Sequence, residues 1–194
     1  MDKSLKEKPQ NSGNVSFVYD PKNPVPSLGG EALLKSNISV GGMRLQPEPD
    51  WRQDVLSFVS ETFENSISIL GKMKVELFVK SNCEDTAFTA KIMEVYEDGK
   101  AYNIRSSVTT LAYDLDRDYI PGEIIKVTID FWDIAYEIPK GSKIRIDISS
   151  SDFPQYNIHS NMAGNWAEQK ATKNAIQTLL CGEEFPSRVI IPIK

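Results

Sequence analysis

The stretch that decides the fold is Lys143–Pro154, which reads KIRIDISSSDFP. In its first half, Ile144, Ile146 and Ile148 alternate with charged residues. This period of two predicts a β-strand with one buried face. Three serines, an aspartate, a phenylalanine and a proline follow. Because proline has no backbone N–H to donate, the strand is expected to end there in a polar loop, over residues 152–164.

Strand signals recur at steady spacing along the rest of the chain. Strands are predicted over Val15–Tyr19, Asp54–Ser60, Lys74–Lys80, Phe88–Tyr96, Ala101–Leu111, Ile124–Trp132 and Val189–Ile193. Asp98-Gly99 is typical of a hairpin turn between two of these strands. Residues 167–180 fit either a helix or, in their second half, a strand. Many short strands and at most one helix predict an all-β, two-sheet sandwich of the jelly-roll type.

Length and composition are those of one globular domain. The chain has 194 residues, 40% hydrophobic and 25% charged, with a formal net charge of −5. The negative charge argues against nucleic acid as a partner, and no apolar run is long enough to cross a membrane. The charged start, Met1–Lys8, lacks the apolar core of a signal peptide. We therefore expect a cytoplasmic protein whose Cys83 and Cys181 are buried or half-buried and unpaired.

Two segments outside the strands stand out. Residues 1–14 are polar and are expected to form a flexible N-terminal segment ahead of a single domain over residues 15–194. Three prolines in residues 21–26 prevent both helix and central strand, and they lead to Gly29-Gly30. Residues 31–49 then show no period, which predicts a long loop of the kind that is usually functional or covers something.

The residues offer little catalytic chemistry. His159 is the single histidine, so any Ser-His-Asp or Cys-His unit would have to use it. No Gly-x-Ser-x-Gly elbow occurs in the sequence. His159 lies in a polar loop and is expected to be a surface residue. We therefore predict no catalytic residue.

Metal and nucleotide sites are also not expected. The run Asp114–Asp118 resembles the start of a calcium loop, but Tyr119 and Ile125 stand where the loop needs glycine and a bidentate acid. A solvated acidic turn is the favoured interpretation. No glycine-rich loop joins a strand to a helix, so no nucleotide cradle is predicted. We expect neither a metal nor a cofactor.

The three tryptophans leave a second possibility open. Trp51 and Trp166 lie in predicted loops, while Trp132 ends a strand and is expected in the core or at the rim. Exposed tryptophans on a sandwich can stack on sugar rings. A carbohydrate-binding or other ligand-binding module therefore remains an alternative, as does a purely structural oligomerisation domain.

Several segments, taken in order and spacing, resemble a known family. They are YDP with NPVP and LGG (residues 19–30), DVL (54–56), DTAFTAK (85–91), DGKA (98–101), PGE (121–123), SSSDFP (149–154) and PSRVIIP (186–192). The set resembles the C-terminal domain of the X-Pro dipeptidyl-peptidase, cocaine esterase and α-amino-acid ester hydrolase (CocE/NonD) family of serine hydrolases. The likeness covers the chain from about Ser4 to Lys194.

The resemblance implies a galactose-binding-like jelly-roll sandwich attached to an upstream α/β-hydrolase domain, with a homodimer as a further possibility. In that family the serine, acid and histidine of the triad lie in the hydrolase domain, and no residue here matches them. The chain is therefore expected to be a fragment that is inactive alone, although its parent would be a serine hydrolase acting on peptides or esters. An edge strand preceding Ser4 in the family would be missing.

The resemblance also assigns two local features. It implies that Asn174–Cys181 is a strand rather than part of a helix. In cocaine-esterase-like members, the loop after the Gly-Gly pair helps to wall the substrate pocket. The matching residues are Leu33 and Leu34. The choice among X-Pro peptides, simple esters and β-lactam-type acyl groups stays open.

Overall fold

The structure, a computed structural model, describes residues 3–8, 12–31, 41–165 and 168–194. Strands dominate these residues, and the one helix spans four residues. The elements are β1 (Ser4–Leu5), β2 (Gly13–Tyr19), β3 (Gly30–Glu31), β4 (Gly41–Gly42), β5 (Leu56–Ser60), β6 (Ile67–Gly71), β7 (Lys74–Ser81), β8 (Ala87–Val95), β9 (Ala101–Thr110), α1 (Leu111–Asp114), β10 (Ile125–Asp130), β11 (Ile134–Ile138), β12 (Lys143–Ser149), β13 (Ala175–Cys181) and β14 (Arg188–Ile190).

Two main sheets form the body of the domain. One has the order β1-β5-β12-β8-β9, and the other has the order β10-β7-β13-β2, with β14 also paired to β7. Their inner faces contribute to a single hydrophobic core. Two smaller ladders, β6–β11 and β3–β4, lie beside them. The predicted all-β sandwich is therefore confirmed, while its jelly-roll classification stays a prediction.

Strand β12, which contains the deciding stretch, lies inside the first sheet. It pairs antiparallel with β5 on one side and with β8 on the other. Ile144, Ile146 and Ile148 are at most 3% exposed and belong to the core, as their alternation predicts. The opposite face departs from the simple pattern, because Arg145 is only 1% exposed. Something therefore covers the polar side of this strand as well.

The predicted strands are present, with ends that shift by a few residues. The Asp98-Gly99 turn is confirmed, since the Tyr96 and Lys100 backbones are joined by a 2.9 Å hydrogen bond. The segment that the resemblance assigns as a strand is β13. Cys83 is buried and Cys181 half-buried, and both are free thiols, as predicted.

Some elements were not predicted. Strands β6 and β11 pair with each other. They were not predicted because polar and apolar residues alternate only weakly in their sequences, ISILG and IAYEI. At the end of β9, the chain turns into α1, because the Thr110 side chain accepts a hydrogen bond from the Tyr113 N–H. Among the described residues, no helix is long and apolar enough to cross a bilayer.

Part of the expected N-terminal tail lies on the first sheet. Ser4–Leu5 pairs in parallel with the end of β5. Two ion pairs flank this contact, from Lys3 to Asp50 at 2.8 Å and from Lys6 to Glu61 at 2.7 Å. Lysines of this polar segment thus form ion pairs with the domain, while the flexibility of residues 1–14 stays a prediction.

The central position of β12 makes its core side chains important for stability. We expect Ile146→Ala to lower the free energy of unfolding by about 2–5 kcal/mol, because it leaves a cavity between the sheets. Ile176→Ala is the matched control, since Ile176 is 51% exposed and surface changes cost about 0.5 kcal/mol or less. Urea denaturation measures both variants. Equal losses of stability would contradict this placement of the core.

Candidate functional site

His159 is buried in the structure, at 1% exposure, so the prediction of a surface histidine is wrong. Its Nδ1 accepts a hydrogen bond from the Asn161 backbone N–H at 3.0 Å. A backbone N–H can only donate, so the proton of the neutral ring lies on Nε2, which donates to Asp85 Oδ2 at 3.2 Å. Both ring nitrogens are therefore engaged. This histidine is not positioned to take a proton from a nucleophile.

The surroundings of His159 form a structural network. Thr86 Oγ1 donates to Asn161 Oδ1 at 2.7 Å and accepts from Gln177 Nε2 at 2.7 Å. Gln177 Nε2 also donates to Ser150 Oγ at 3.1 Å. These bonds connect the loop that contains His159 to β13, to the start of β8 and to the end of β12. The network accounts for the burial of polar side chains that the sequence places in a loop.

The acidic run 114–118 serves the local fold. Asp114 Oδ2 accepts from the Thr128 N–H at 2.6 Å, and its Oδ1 accepts from Thr109 Oγ1 at 3.1 Å. Burial of Asp114 raises the pKa of its carboxyl. Asp116 and Asp118 are exposed, as expected of a solvated turn. Within the described ranges, no group of three or more potential ligands is placed to hold a metal ion.

The proline-rich segment and the end of β12 are brought together by the fold. The Val25 N–H donates to Ser151 Oγ at 2.9 Å, and the Phe153 N–H donates to the Val25 carbonyl at 2.8 Å. The Ser27 N–H donates to the Phe153 carbonyl at 2.7 Å. The stiff segment is thus fixed along the SSSDFP loop. The polar side of β12 at Arg145 is covered by a different segment, since the Arg145 guanidinium donates to the Pro47 and Glu48 carbonyls at 2.6 and 3.3 Å.

The same segment ends in a narrow neck formed by β3 and β4. Gly30 pairs with Gly42, and Glu31 pairs with Gly41. Asn103 of β9 supports the neck, because its Nδ2 donates to the Gly42 carbonyl at 3.2 Å. Gly29 has a φ of +73°, and a Cβ there would lie 2.5 Å from Asn103 Oδ1. Glycine is therefore required at this position both by conformation and by space.

Two side chains hold the far end of the neck. Glu31 accepts from Arg105 at 3.1 Å and from Gln155 Nε2 at 2.9 Å. Gln155 belongs to the loop after β12, so the neck and this loop are directly linked. The predicted pocket-wall residues Leu33 and Leu34 lie beyond Glu31, outside the described residues. Their role stays a prediction.

A narrow cleft, with about 30 Å³ of space accessible to water, lies under the proline-rich segment against β8 and β12. Its floor carries two ion pairs. Lys91 Nζ lies 3.0 Å from Asp152 Oδ1. Arg145 donates to both carboxylate oxygens of Asp147 at 2.7 Å and to the Pro47 carbonyl at 2.6 Å. The sequence predicts that these side chains face away from the core, but gives no signal for what covers them.

The tryptophans occupy different environments. Trp51 lines the mouth of the cleft and is 37% exposed. The Arg52 guanidinium lies 5.7 Å from the centre of its ring, in a cation–π contact. Trp132 is 78% exposed, so a core position for it is wrong. Trp166 lies outside the described residues. Of the two tryptophans in the described part of the chain, Trp51 is the one that lines this cleft.

Comparison with known proteins gives one family match. The model of the X-Pro dipeptidyl-peptidase C-terminal non-catalytic domain matches residues 2–190. The cocaine esterase of Rhodococcus sp. (strain MB1 Bresler) is 34% identical over 187 residues, which cover 92% of this chain and 32% of that protein. The chain thus spans about a third of the length of this relative.

Solved structures show the same fold at low sequence identity. An aminopeptidase from a marine sediment archaeon, Thaumarchaeota archaeon, matches with a TM-score of 0.84 at 19% identity, over 97% of this chain and 34% of its own. An α-amino acid ester hydrolase gives a TM-score of 0.72 at 18% identity, over 94% of this chain and 33% of its own. A CocE/NonD family hydrolase from Staphylococcus aureus gives 0.67 at 15% identity, over 99% and 34%.

The engaged ring of His159 leads to a chemical prediction. We expect a fluorophosphonate probe, which labels activated serines, to leave the intact mass of this chain unchanged. A serine needs a free neighbouring base to become a nucleophile, and here both ring nitrogens are occupied. A known serine hydrolase labelled in parallel is the control. A stoichiometric adduct on a serine near His159 would show that the histidine does act as a base.

The neck leads to a prediction about stability. Gly29→Ala and Gly99→Ala both place a side chain at positive φ, at +73° and +84°, which costs about 1–2 kcal/mol. Only Gly29 also brings a steric clash, since nothing lies within 4 Å of a Cβ at Gly99. Gly29→Ala should therefore lower the midpoint of urea unfolding more than Gly99→Ala does. Equal shifts of the unfolding midpoint in the two variants would mean that the β3–β4 neck moves to make room for the added methyl group.

Proposed function

Because this chain belongs to the family of X-Pro dipeptidyl-peptidase C-terminal non-catalytic domains, we propose that it packs on the catalytic domain of a larger serine hydrolase and shapes its substrate pocket. The partner is an α/β-hydrolase domain upstream in the same polypeptide. That domain supplies the nucleophilic serine, the histidine that moves its proton, and the oxyanion hole for acyl transfer. The substrate is a peptide or an ester.

The length of the relatives and the chemistry of this chain both support the proposal. The chain corresponds to 32% of the cocaine esterase relative, which leaves most of that protein to other domains. The one histidine of this chain is engaged at both nitrogens. A domain with this composition contributes shape and contacts rather than catalytic groups.

The β3–β4 neck is the observation that carries the proposal. It joins both ends of residues 32–40 to β9 through the Asn103 side chain, and to the loop after β12 through Glu31 and Gln155. The four residues that flank this segment are thus held on the sandwich. Leu33 and Leu34 supply the apolar surface that substrate pockets mostly use.

The surface beside the neck suits a domain interface. Phe153 is 41% exposed although it is bonded on both sides to the proline-rich segment. Pro26, its bridge partner, is also exposed. Rigid exposed apolar side chains of this kind are typical of the centre of an interface. The homodimer and the cytoplasmic location stay predictions from the sequence.

The test uses the parental polypeptide, in which the hydrolase region precedes this chain. We expect the double variant Leu33→Ala/Leu34→Ala to lower kcat/KM for an ester or X-Pro substrate about ten-fold, which is the effect of losing about 1.4 kcal/mol of contact in the transition state. The midpoint of thermal unfolding should stay near the wild-type value, since the variant changes no residue of the described core.

A matched control is Val18→Ala/Ile176→Ala. These two apolar residues are paired neighbours on β2 and β13 and are 53% and 51% exposed, so their truncation should leave kcat/KM unchanged. If the leucine variant matches wild type, the pocket-wall role is wrong. If deleting the whole domain leaves both kcat/KM and thermal stability unchanged, the docking role is wrong as well.

A further inference from the structure

We propose that a groove beside the β8–β9 hairpin binds an arginine side chain of a polypeptide partner. The groove contains about 570 Å³ of space accessible to water and is open at the surface. One wall is the hairpin, which contributes Tyr96 and Tyr102, and the other is the turn over residues 139–142 between β11 and β12. This binding site does not depend on the hydrolase docking proposed above.

The two tyrosines form an aromatic corner in the groove. Their ring centroids lie 5.4 Å apart, and the ring planes are nearly perpendicular, at 82°. Tyr96 is 38% exposed, and Tyr102 is half-buried. The face of an aromatic ring carries partial negative charge, so it attracts a cation placed over it. A guanidinium has the further advantage that its flat surface stacks on the ring.

A buried carboxylate lies at the base of the aromatic corner. Glu94 is 1% exposed and is the ladder partner of Tyr102. It accepts hydrogen bonds from the Tyr136 hydroxyl at 2.6 Å and from Ser142 Oγ at 2.7 Å. Both of these donors, which are the ones that the described residues supply, are neutral hydroxyls. Burial and the nearby Glu94 carboxylate raise the pKa of Tyr96 and of Tyr136. The negative charge at the base is therefore not neutralised by a cation of its own.

The charges at the rim leave the groove negative. Glu97 and Asp98 line it, and Asp98 is already paired with Lys100 at 2.7 Å. Among the described residues in the lining, Lys140 is the one cation, and it is exposed. The carboxylates of Glu94 and Glu97 thus outnumber it. A groove with this balance of charge attracts a cationic group and repels an anionic one.

The walls of the groove are formed before a ligand arrives. The Phe63 N–H donates to the Ser142 carbonyl, and the Gly141 N–H donates to the Phe63 carbonyl, both at 3.0 Å. These bonds fix the turn on the sandwich. A Cβ at Gly141 would overlap the Glu97 carboxylate, so the glutamate side chain lies directly against the turn. Little ordering is therefore needed when a partner binds.

An arginine suits the groove better than a lysine does. Its planar guanidinium stacks on the exposed face of Tyr96 while its N–H groups donate to the Glu97 carboxylate. An ammonium is a compact, strongly hydrated charge that cannot stack in this way. The Glu94 oxygens already accept hydrogen bonds, so this residue acts through its charge.

The test is an NMR titration of this chain with the capped peptide acetyl-Gly-Arg-Gly-amide. We expect binding in the millimolar range, with amide shifts confined to residues 96–102 and 139–142. The corresponding lysine peptide should bind more weakly, and the neutral glutamine peptide should cause no shifts. Raising the salt concentration to about 0.5 M should weaken binding of the arginine peptide, because salt screens exposed charges.

Variants of the groove identify the residues that bind. Tyr96→Ala should weaken binding by about three- to five-fold, the effect of losing one exposed cation–π contact. Tyr96→Phe, which keeps the ring, should bind nearly as well as the wild type. Glu97→Gln should weaken binding and reduce its salt dependence. The matched control is Tyr113→Ala, which removes a tyrosine that is 85% exposed on α1 and should leave binding unchanged.

The amide spectrum of each variant also shows whether it is folded. Absence of shifts with the arginine peptide at millimolar concentration would overturn the proposal. So would shifts of the same size with the glutamine peptide, or binding that Tyr96→Ala leaves intact. Equal affinity for the lysine peptide would contradict the preference for arginine.

Discussion

The burial of both faces of β12 is the constraint on which the rest of the structure depends. Its isoleucines complete the core between the two sheets. Its other face carries Arg145, which is 1% exposed. A buried guanidinium is tolerable only when it is paired and hydrogen-bonded. Asp147 and the Pro47 carbonyl accept hydrogen bonds from this guanidinium. The segment that contains Pro47 must therefore lie over the sheet. Its position there helps to form both the cleft and the β3–β4 neck.

The polar residues near the end of β12 are of the types found in catalytic triads, but here they stabilise the fold. A histidine, an aspartate and serines lie close together, yet the Asn161 N–H occupies one ring nitrogen of His159 and Asp85 the other. The imidazole thereby provides hydrogen-bond partners for polar groups of a buried loop. The engagement of both ring nitrogens agrees with the match to a non-catalytic domain family.

The stiff proline-rich segment lies between two surface features of this domain. On one side it leads into the β3–β4 neck, which flanks the loop proposed to reach a hydrolase domain. On the other side it lines the cleft against β8 and β12. Because Val25 and Ser27 are hydrogen-bonded to the SSSDFP loop, this end of the segment is fixed on the sandwich. The contacts that stabilise the fold thus also preform its surfaces.

The sequence by itself determined most of the long strands, because alternation and turn residues are local signals. The KIRIDIS pattern and the Asp98-Gly99 turn needed no knowledge of distant residues. Only the tertiary structure decided that Arg145 and His159 are buried and that β6 pairs with β11. Arg145 meets Pro47 and His159 meets Asp85 across 98 and 74 positions of the chain. Periodicity shows which way a side chain points, whereas its burial depends on what the chain later folds over it.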